Sequence, residues 1–142
     1  MKKTDEYILG RIKWRFDKYE VSNDYTFFFD ELSESIKAYL KSNLKEDLSG
    51  IPVLFFTKPS KQWTLLCTRQ VVGYSGEKIF RIDFKDIKKI EAFQTNRNKI
   101  KTEWDKLSIF DKEGNCHILH TGNGYAHTAL HNILLMVEPW AD

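Results

Sequence analysis

The stretch WTLLCTRQVVGYSGEKIFRIDFKDIKKIEAF, residues 63–93, decides how this chain is read. From Gln62 onward four apolar segments follow one another with short polar breaks. β-Branched and aromatic residues are frequent and glycines fall between the runs, which is the composition of strands and turns. Phe80, Ile82 and Phe84 alternate with Arg81, Asp83 and Lys85, a period of two that predicts a half-buried strand with charges on its outer face. Ser75-Gly76 lies between Val71-Val72 and Ile79-Phe80, so an antiparallel hairpin with a tight reversal is predicted. Asp86 breaks the alternation. Ile87, Ile90 and Phe93 resume it irregularly, as a strand opened by a turn or bulge does.

Working outward, Val53 to Thr57 reads as a strand and Lys58-Pro59-Ser60-Lys61 as its turn. Beyond the central block, Gln94 to Lys101 is polar and aperiodic and reads as a loop. Trp104 to Phe110 and Cys116 to Thr121 read as strands joined by the turn Asp111 to Asn115. A helix is predicted from Tyr125 to about Val137, with Ala126, Leu130, Ile133, Leu134 and Val137 as its buried stripe. Leu135 and Met136 lie off that stripe, a second apolar side, and Pro139 ends the helix.

On the other side, Thr4-Asp5-Glu6 is a helix start, a capping hydroxyl followed by first-turn carboxylates. Ile8, Leu9, Ile12, Phe16 and Tyr19 then gather on one face. Ser22-Asn23-Asp24 reads as a turn. A second helix is predicted from about Thr26 to Lys45, striped by Phe29, Leu32, Ile36, Tyr39, Leu40 and Leu44. Two amphipathic helices in succession suggest a helical hairpin, and each stripe needs a partner. Residues 4–48 are therefore expected against the sheet or its closing helix. Gly50, suited to a left-handed cap, and Pro52 mark an internal boundary.

The order of an apolar strand ending in Thr68-Arg69, a glycine-punctuated hairpin, and Ile82-Asp83-Phe84-Lys85-Asp86-Ile87-Lys88-Lys89-Ile90 resembles the bacterial pleckstrin-homology-like, or GRAM-like, domains over about Pro52 to Val137. The resemblance implies about seven strands in two nearly orthogonal antiparallel sheets, a barrel or sandwich closed by a C-terminal helix. The expected fold class is thus α+β, with residues 1–50 as a helical extension packed on the same domain and residues 51–142 as the domain proper. It implies no activity, because such folds serve chiefly as binding scaffolds. Eukaryotic members collect basic residues for inositol phosphates in the first hairpin turn, where this chain has Lys58 and Lys61 alone.

A chain of 142 residues has the size of one domain. Lys and Arg total 22 against 20 Asp and Glu, a balance that disfavours nucleic acid as the partner and gives little reason for peripheral membrane contact. Between Lys58 and Lys101, however, eleven basic residues face four acidic ones, read first as solvated strand faces that protect sheet edges. Cys67 and Cys116 fall on separate strands without a Cys-x-x-Cys, which points to reduced thiols and a cytoplasmic location. Met1-Lys2-Lys3 is followed by charge rather than by the apolar run of a signal peptide, and charges interrupt every apolar run before membrane-spanning length.

No triad order, nucleophile elbow or phosphate loop is present, so no catalytic residue and no cofactor is assigned. His127 and His131 stand at i, i+4, but the zincin glutamate is replaced by Thr128, and His117 and His120 alternate across a strand, so no metal site is assigned. Gly122-Asn123-Gly124 reads as a strand-to-helix turn rather than an anion site. Phe27-Phe28-Phe29 cannot share one helical face. The expectation is a non-catalytic, cytoplasmic binding module of the adaptor, inhibitor or toxin-immunity type, whose protein partner is met by Phe27, Phe28, Trp14 and Leu135. The alternative is an anionic ligand, lipid head group or nucleic acid, held by Lys58, Lys61, Arg97, Lys99 and Lys101.

Overall fold

The computed structural model describes residues 3–19, 25–44, 50–58, 61–92, 106–121 and 125–140. Among the described residues it is an α+β fold with two antiparallel sheets and three helices. In chain order these are α1 (Asp5–Asp17), β1 (Thr26–Phe28), α2 (Glu34–Leu44), β2 (Pro52–Thr57), β3 (Trp63–Cys67), β4 (Gln70–Tyr74), β5 (Ile79–Asp83), β6 (Ile87–Ala92), β7 (Lys106–Asp111), β8 (Cys116–His120) and α3 (Tyr125–Val137). The first sheet has the order β1-β2-β3-β4-β5 and the second β6-β7-β8. Among the described residues the sheets stack without closing into a barrel, and the strands number eight rather than about seven. Ser22 to Asp24, Gln94 to Lys101, Trp104 and Gly122 to Gly124 lie outside the described residues.

The extra strand comes from the segment expected to begin the second helix. Thr26–Phe28 pairs with Phe56, Phe55 and Leu54 of β2, a short 3-10 turn spans Phe29–Glu31, and α2 starts only at Glu34. The reason lies in the three phenylalanines: an extended backbone sends Phe27 and Phe28 to opposite faces, where each finds a core, as no helix could. Ser33 supplies the start signal for α2, its hydroxyl accepting the Ile36 N–H at 3.3 Å.

Register fixes which face each strand residue takes. Leu54, Phe56, Leu66, Val71 and Ile82 point inward, toward Ile87, Leu107, Ile109 and Leu119 of the second sheet and its approach and toward Leu130, Ile133 and Leu134 of α3. Gly73 is required on this face, because the Phe80 ring of the paired strand comes within 2.4 Å of where a Cβ would stand. Phe55, Trp63, Leu65, Val72 and Ile79 point outward, and there Leu40 and Leu44 of α2 cover them. All five residues of β3 are consequently buried. The expected charged outer face of β5 is corrected accordingly. Arg81 is half-buried and its Nη2 donates to the Leu44 carbonyl at the end of α2 at 2.6 Å, where a cation suits the helix dipole. Phe84 sits in a 3-10 turn, Phe84–Asp86, with its ring fully buried, and β6 opens with a register shift between Ile87 and Lys89.

The helical hairpin is also corrected, since α1 and α2 lie on different cores. Helix α1, capped by Thr4, whose hydroxyl accepts the Tyr7 N–H at 3.1 Å, buries Ile8, Ile12 and Phe16 in the inner core and packs on α3. It thereby covers one side of α3, while Leu135 stays 51% exposed. Its start is held by a polar corner. Thr68 Oγ1 donates to Asp5 Oδ1 at 3.0 Å and accepts the Ile51 N–H at 2.9 Å; Arg69 Nε donates to the same carboxylate oxygen at 2.6 Å. The Arg69 Nη groups reach the carbonyls of Trp140 and Lys3, and its own carbonyl accepts the Phe84 N–H. Gly50, at φ +84°, leaves the space: a Cβ there would stand 2.3 Å from Thr68 Oγ1. Among the described residues no helix is long and apolar enough to cross a membrane.

The β7–β8 turn carries a pH-dependent contact. The Asp111 carboxylate meets His117 Nε2 at 3.0 Å and accepts the N–H groups of Glu113 and Asn115, both at 2.9 Å. The His117 hydrogen bond first, and then the backbone donors, hold its acid below the ordinary 3.8. The folded value thus lies below the unfolded one, so the carboxylate adds stability above about pH 3.8 that disappears as pH falls through the lower folded value. The thermal midpoint of the wild type should exceed that of Asp111→Ala above about pH 3.8, and the margin should shrink as pH falls below that value. Parallel profiles down to acid denaturation would contradict this.

Candidate functional site

Where α2 stops covering the outer face of the first sheet, an open groove of about 430 Å³ remains. Its floor and walls are aromatic: Phe27 from β1, Tyr39 from α2, Phe55 from β2, Trp63 from β3 and Tyr74 from β4. Three strand registers bring these rings together, since Phe27 pairs with Phe55, Trp63 pairs with Tyr74, and Phe55 opposes Leu65, one outward position from Trp63. Ring centroids stand 5.7 Å apart for Phe55 and Trp63 and for Trp63 and Tyr74. The Trp63 Nε1–H points to the Tyr39 hydroxyl at 3.4 Å and the two rings meet edge to face. Trp63 is 3% exposed and forms the floor, whereas Tyr39 is 43% exposed and forms a wall.

Two cations stand on the rim. Lys58 and Lys61 both line the groove, and among the described residues no Asp or Glu does. The Lys61 N–H donates to the Lys58 carbonyl at 2.9 Å, and Lys61 itself has φ +72°, the left-handed region. A residue other than glycine rarely adopts that backbone unless the surrounding turn holds it there. Lys58 Nζ lies 3.4 Å from Nδ1 of His120, whose carbonyl accepts the Thr64 hydroxyl at 2.7 Å. That last bond ties the floor of the groove to the second sheet.

The residues expected to meet a protein partner do not share one surface. Phe27 lines the groove, but Phe28 turns to the other face of β1, where its ring meets Phe16 edge to face at 5.3 Å. Trp14 lies on the exposed flank of α1, its ring engaged by the Arg11 guanidinium at 4.3 Å and the Lys18 ammonium at 4.7 Å. Leu135 projects from α3. Of the expected anion-binding set, Lys58 and Lys61 come together on the rim, and Arg97, Lys99 and Lys101 lie outside the described residues. Sequence reasoning missed Tyr39, Phe55, Trp63 and Tyr74 as one site, because Tyr39 reads as part of its helix's apolar stripe and the other three only as members of separate strand segments. The signal was there in the alternation: each ring occupies an outward position in register with the next.

Other reactive groups are accounted for by packing. Burial pushes the Cys67 thiol up to about 12, with Arg81 opposing the rise, which leaves no thiolate at neutral pH. A second cleft of about 490 Å³, lined by Gln70, Arg81, Asp83, Asp86, Asp111 and His117 among others, is polar, and its Asp111 already serves the β7–β8 turn. The rings of buried His127 and half-buried His131 stand 6.4 Å apart on α3. Among the described residues no three His, Cys, Asp or Glu side chains converge on a point where a metal ion would sit.

If the turn backbone holds Lys61 in its left-handed state, Lys61→Gly should relieve strain while adding chain entropy to the unfolded state. The balance is a gain of about 0.5 kcal/mol in stability, measured by urea unfolding. A destabilised glycine variant would show that the lysine side chain itself holds the turn.

No protein-family model, no curated protein and no solved structure matches this chain.

Proposed function

We propose that the protein is a non-catalytic binding module whose ligand is another protein, bound in the aromatic groove between α2 and the first sheet. The observation that carries this reading is the groove itself. Rigid aromatic rings already packed on one another offer large contact area at little cost in side-chain entropy, and such rings dominate the energetics of protein interfaces. The groove opens to solvent along one side instead of enclosing a cavity, which suits a segment of a macromolecule. A role of adaptor, inhibitor or toxin-immunity type fits such a module, and the buried, unbridged Cys67 suits the reducing cytoplasm of a bacterial cell.

The pleckstrin-homology-like reading is supported by the elements from Pro52 onward: four strands in the first sheet, three in the second, then a helix over the shared core. On that reading β1 and the two N-terminal helices are an addition, and α2 builds a wall of the groove. The second reading, an anionic ligand, draws on Lys58 and Lys61, which share the groove rim with the aromatic site.

The test is capture from native cell extract by the tagged chain, at moderate salt and after nuclease, compared with Tyr39→Asp and with Leu135→Asp as a control outside the groove. One protein should be retained by the wild type and by Leu135→Asp and should fall about thirtyfold with Tyr39→Asp, the loss of one hot-spot residue. Equal retention by Tyr39→Asp, or retention only without nuclease, would contradict the reading.

A further inference from the structure

We infer that the outer flank of α1 docks on the surface of an anionic phospholipid bilayer. The site is separate from the aromatic groove, to which no described residue of α1 contributes. Helix α1 hides Ile8, Ile12 and Phe16 in the inner core, and the surface it leaves outside is divided by charge. Tyr7, Arg11, Trp14 and Lys18 follow one another at i, i+4, i+7 and i+11, a spacing that keeps them on one stripe, and Arg15 stands beside it one turn beyond Arg11. Glu6 and Asp17 lie about a quarter of a turn to the other side. Tyr7 and Trp14 are each 45% exposed.

The cations of this flank are held by rings and not by acids. The Arg11 guanidinium stands 4.3 Å and the Lys18 ammonium 4.7 Å from the Trp14 ring centre, and the Lys3 ammonium stands 5.2 Å from that of Tyr7. Among the described residues no carboxylate pairs with Lys3, Arg11, Arg15 or Lys18, whereas Lys13, on the side of Glu6, meets Asp30 at 3.4 Å. The Nε atoms of Arg11 and Arg15 are buried and have no hydrogen-bond acceptor. The sequence total of +2 conceals this local excess. Charge thus selects an anionic ligand, and the rings select which. Single-stranded nucleic acid is held by stacking its bases on open aromatic faces, but here cations stand over both rings. A duplex backbone engages cations and leaves half-exposed rings without a role. A bilayer surface uses both groups: amphipathic rings settle at head-group level, and Lys and Arg stems lie along them with their charges toward the phosphates. From Tyr7 to Lys18 the stripe runs about 16 Å along a convex helix surface, a line of contact suited to a plane.

The experiment sediments the purified full chain with vesicles of phosphatidylcholine alone or of equal parts phosphatidylcholine and phosphatidylglycerol. The chain should partition to the mixed vesicles at least about thirtyfold more strongly, and added salt should erase the difference. Each cation near an anionic surface raises partition about fivefold, so Arg11→Gln/Arg15→Gln/Lys18→Gln should lower it about a hundredfold. Trp14→Ala should lower it about tenfold. The control Lys85→Gln/Lys88→Gln/Lys89→Gln removes the same charge from exposed positions on another surface and should partition as the wild type does. Asp17→Lys, which extends the positive flank, should strengthen partition about fivefold, a gain that a folding defect cannot mimic.

Absence of partition to the mixed vesicles, or equal partition to both kinds, overturns the inference. Equal loss in the two triple variants shows that net charge and not this flank attracts the chain, and overturns it as well. Tighter binding of a short DNA duplex than of the mixed vesicles, lost in the same α1 variant, reassigns the flank to nucleic acid and overturns the bilayer as occupant. None of these outcomes bears on the groove, which Tyr39→Asp judges by protein capture.

Discussion

Arg69 joins parts of the chain that are far apart in sequence. Its guanidinium reaches Asp5 at the start of α1, the Lys3 carbonyl and the Trp140 carbonyl, and its own carbonyl holds the Phe84 N–H at the turn before β6. Thr68 adds a second bond to Asp5 and one from Ile51. Hydrogen bonds to charged groups contribute about 1.5–3 kcal/mol each when sheltered. The Arg69 side chain is 18% exposed and that of Asp5 35%, so solvent screening places this pair toward the lower end. What the corner contributes beyond energy is position. Helix α1 buries Ile8, Ile12 and Phe16 only if its first turn lies over the inner core, and the corner fixes that turn.

The sheet that ends at this corner is covered on both faces, by the second sheet with α1 and α3 on the inner side and by α2 on the outer, which explains both the buried strand β3 and the groove. Helix α2 covers the outer face at Leu40 and Leu44, which are 2% and 1% exposed, but at its N-terminal half Ile36 is half-buried and Tyr39 is largely open. The uncovered part is where β1 to β4 present their aromatic outward residues. The candidate site is thus the unfinished edge of a core, apolar for the same reason that cores are apolar, with the lysines of the β2–β3 turn at its margin.

Much of this architecture could be read from the residues. The alternation around Phe80 and Ile82, the Ser75-Gly76 reversal and the irregular opening of β6 follow from period and turn chemistry, and the structure has each of them. The capped start of α1 and the stripe of α3 were equally legible. The segment Thr26 to Ser33 was not, because its apolar spacing fits a helix and only pairing with β2 makes it a strand. Tertiary contact overrode local pattern there. The sidedness of the two N-terminal helices was hidden as well, since an amphipathic stripe says that a partner exists without saying which. Thr68-Arg69 stood out as a motif, but its role as a clamp depends on Asp5, Ile51 and Trp140, which only the folded chain brings near. The groove arises from register between strands, and so it belongs to no single stretch of sequence.

The most direct measurement is a double-mutant cycle on Asp5→Ala and Arg69→Ala, read as unfolding free energy in urea. If the corner anchors α1, the two changes are strongly non-additive, with a coupling of about 1–2 kcal/mol. Hydrogen exchange in α1 should rise in each single variant by a similar factor. Additivity within about 0.5 kcal/mol, with α1 as protected in the variants as in the wild type, would contradict the corner's role and leave the helix held by its apolar face alone.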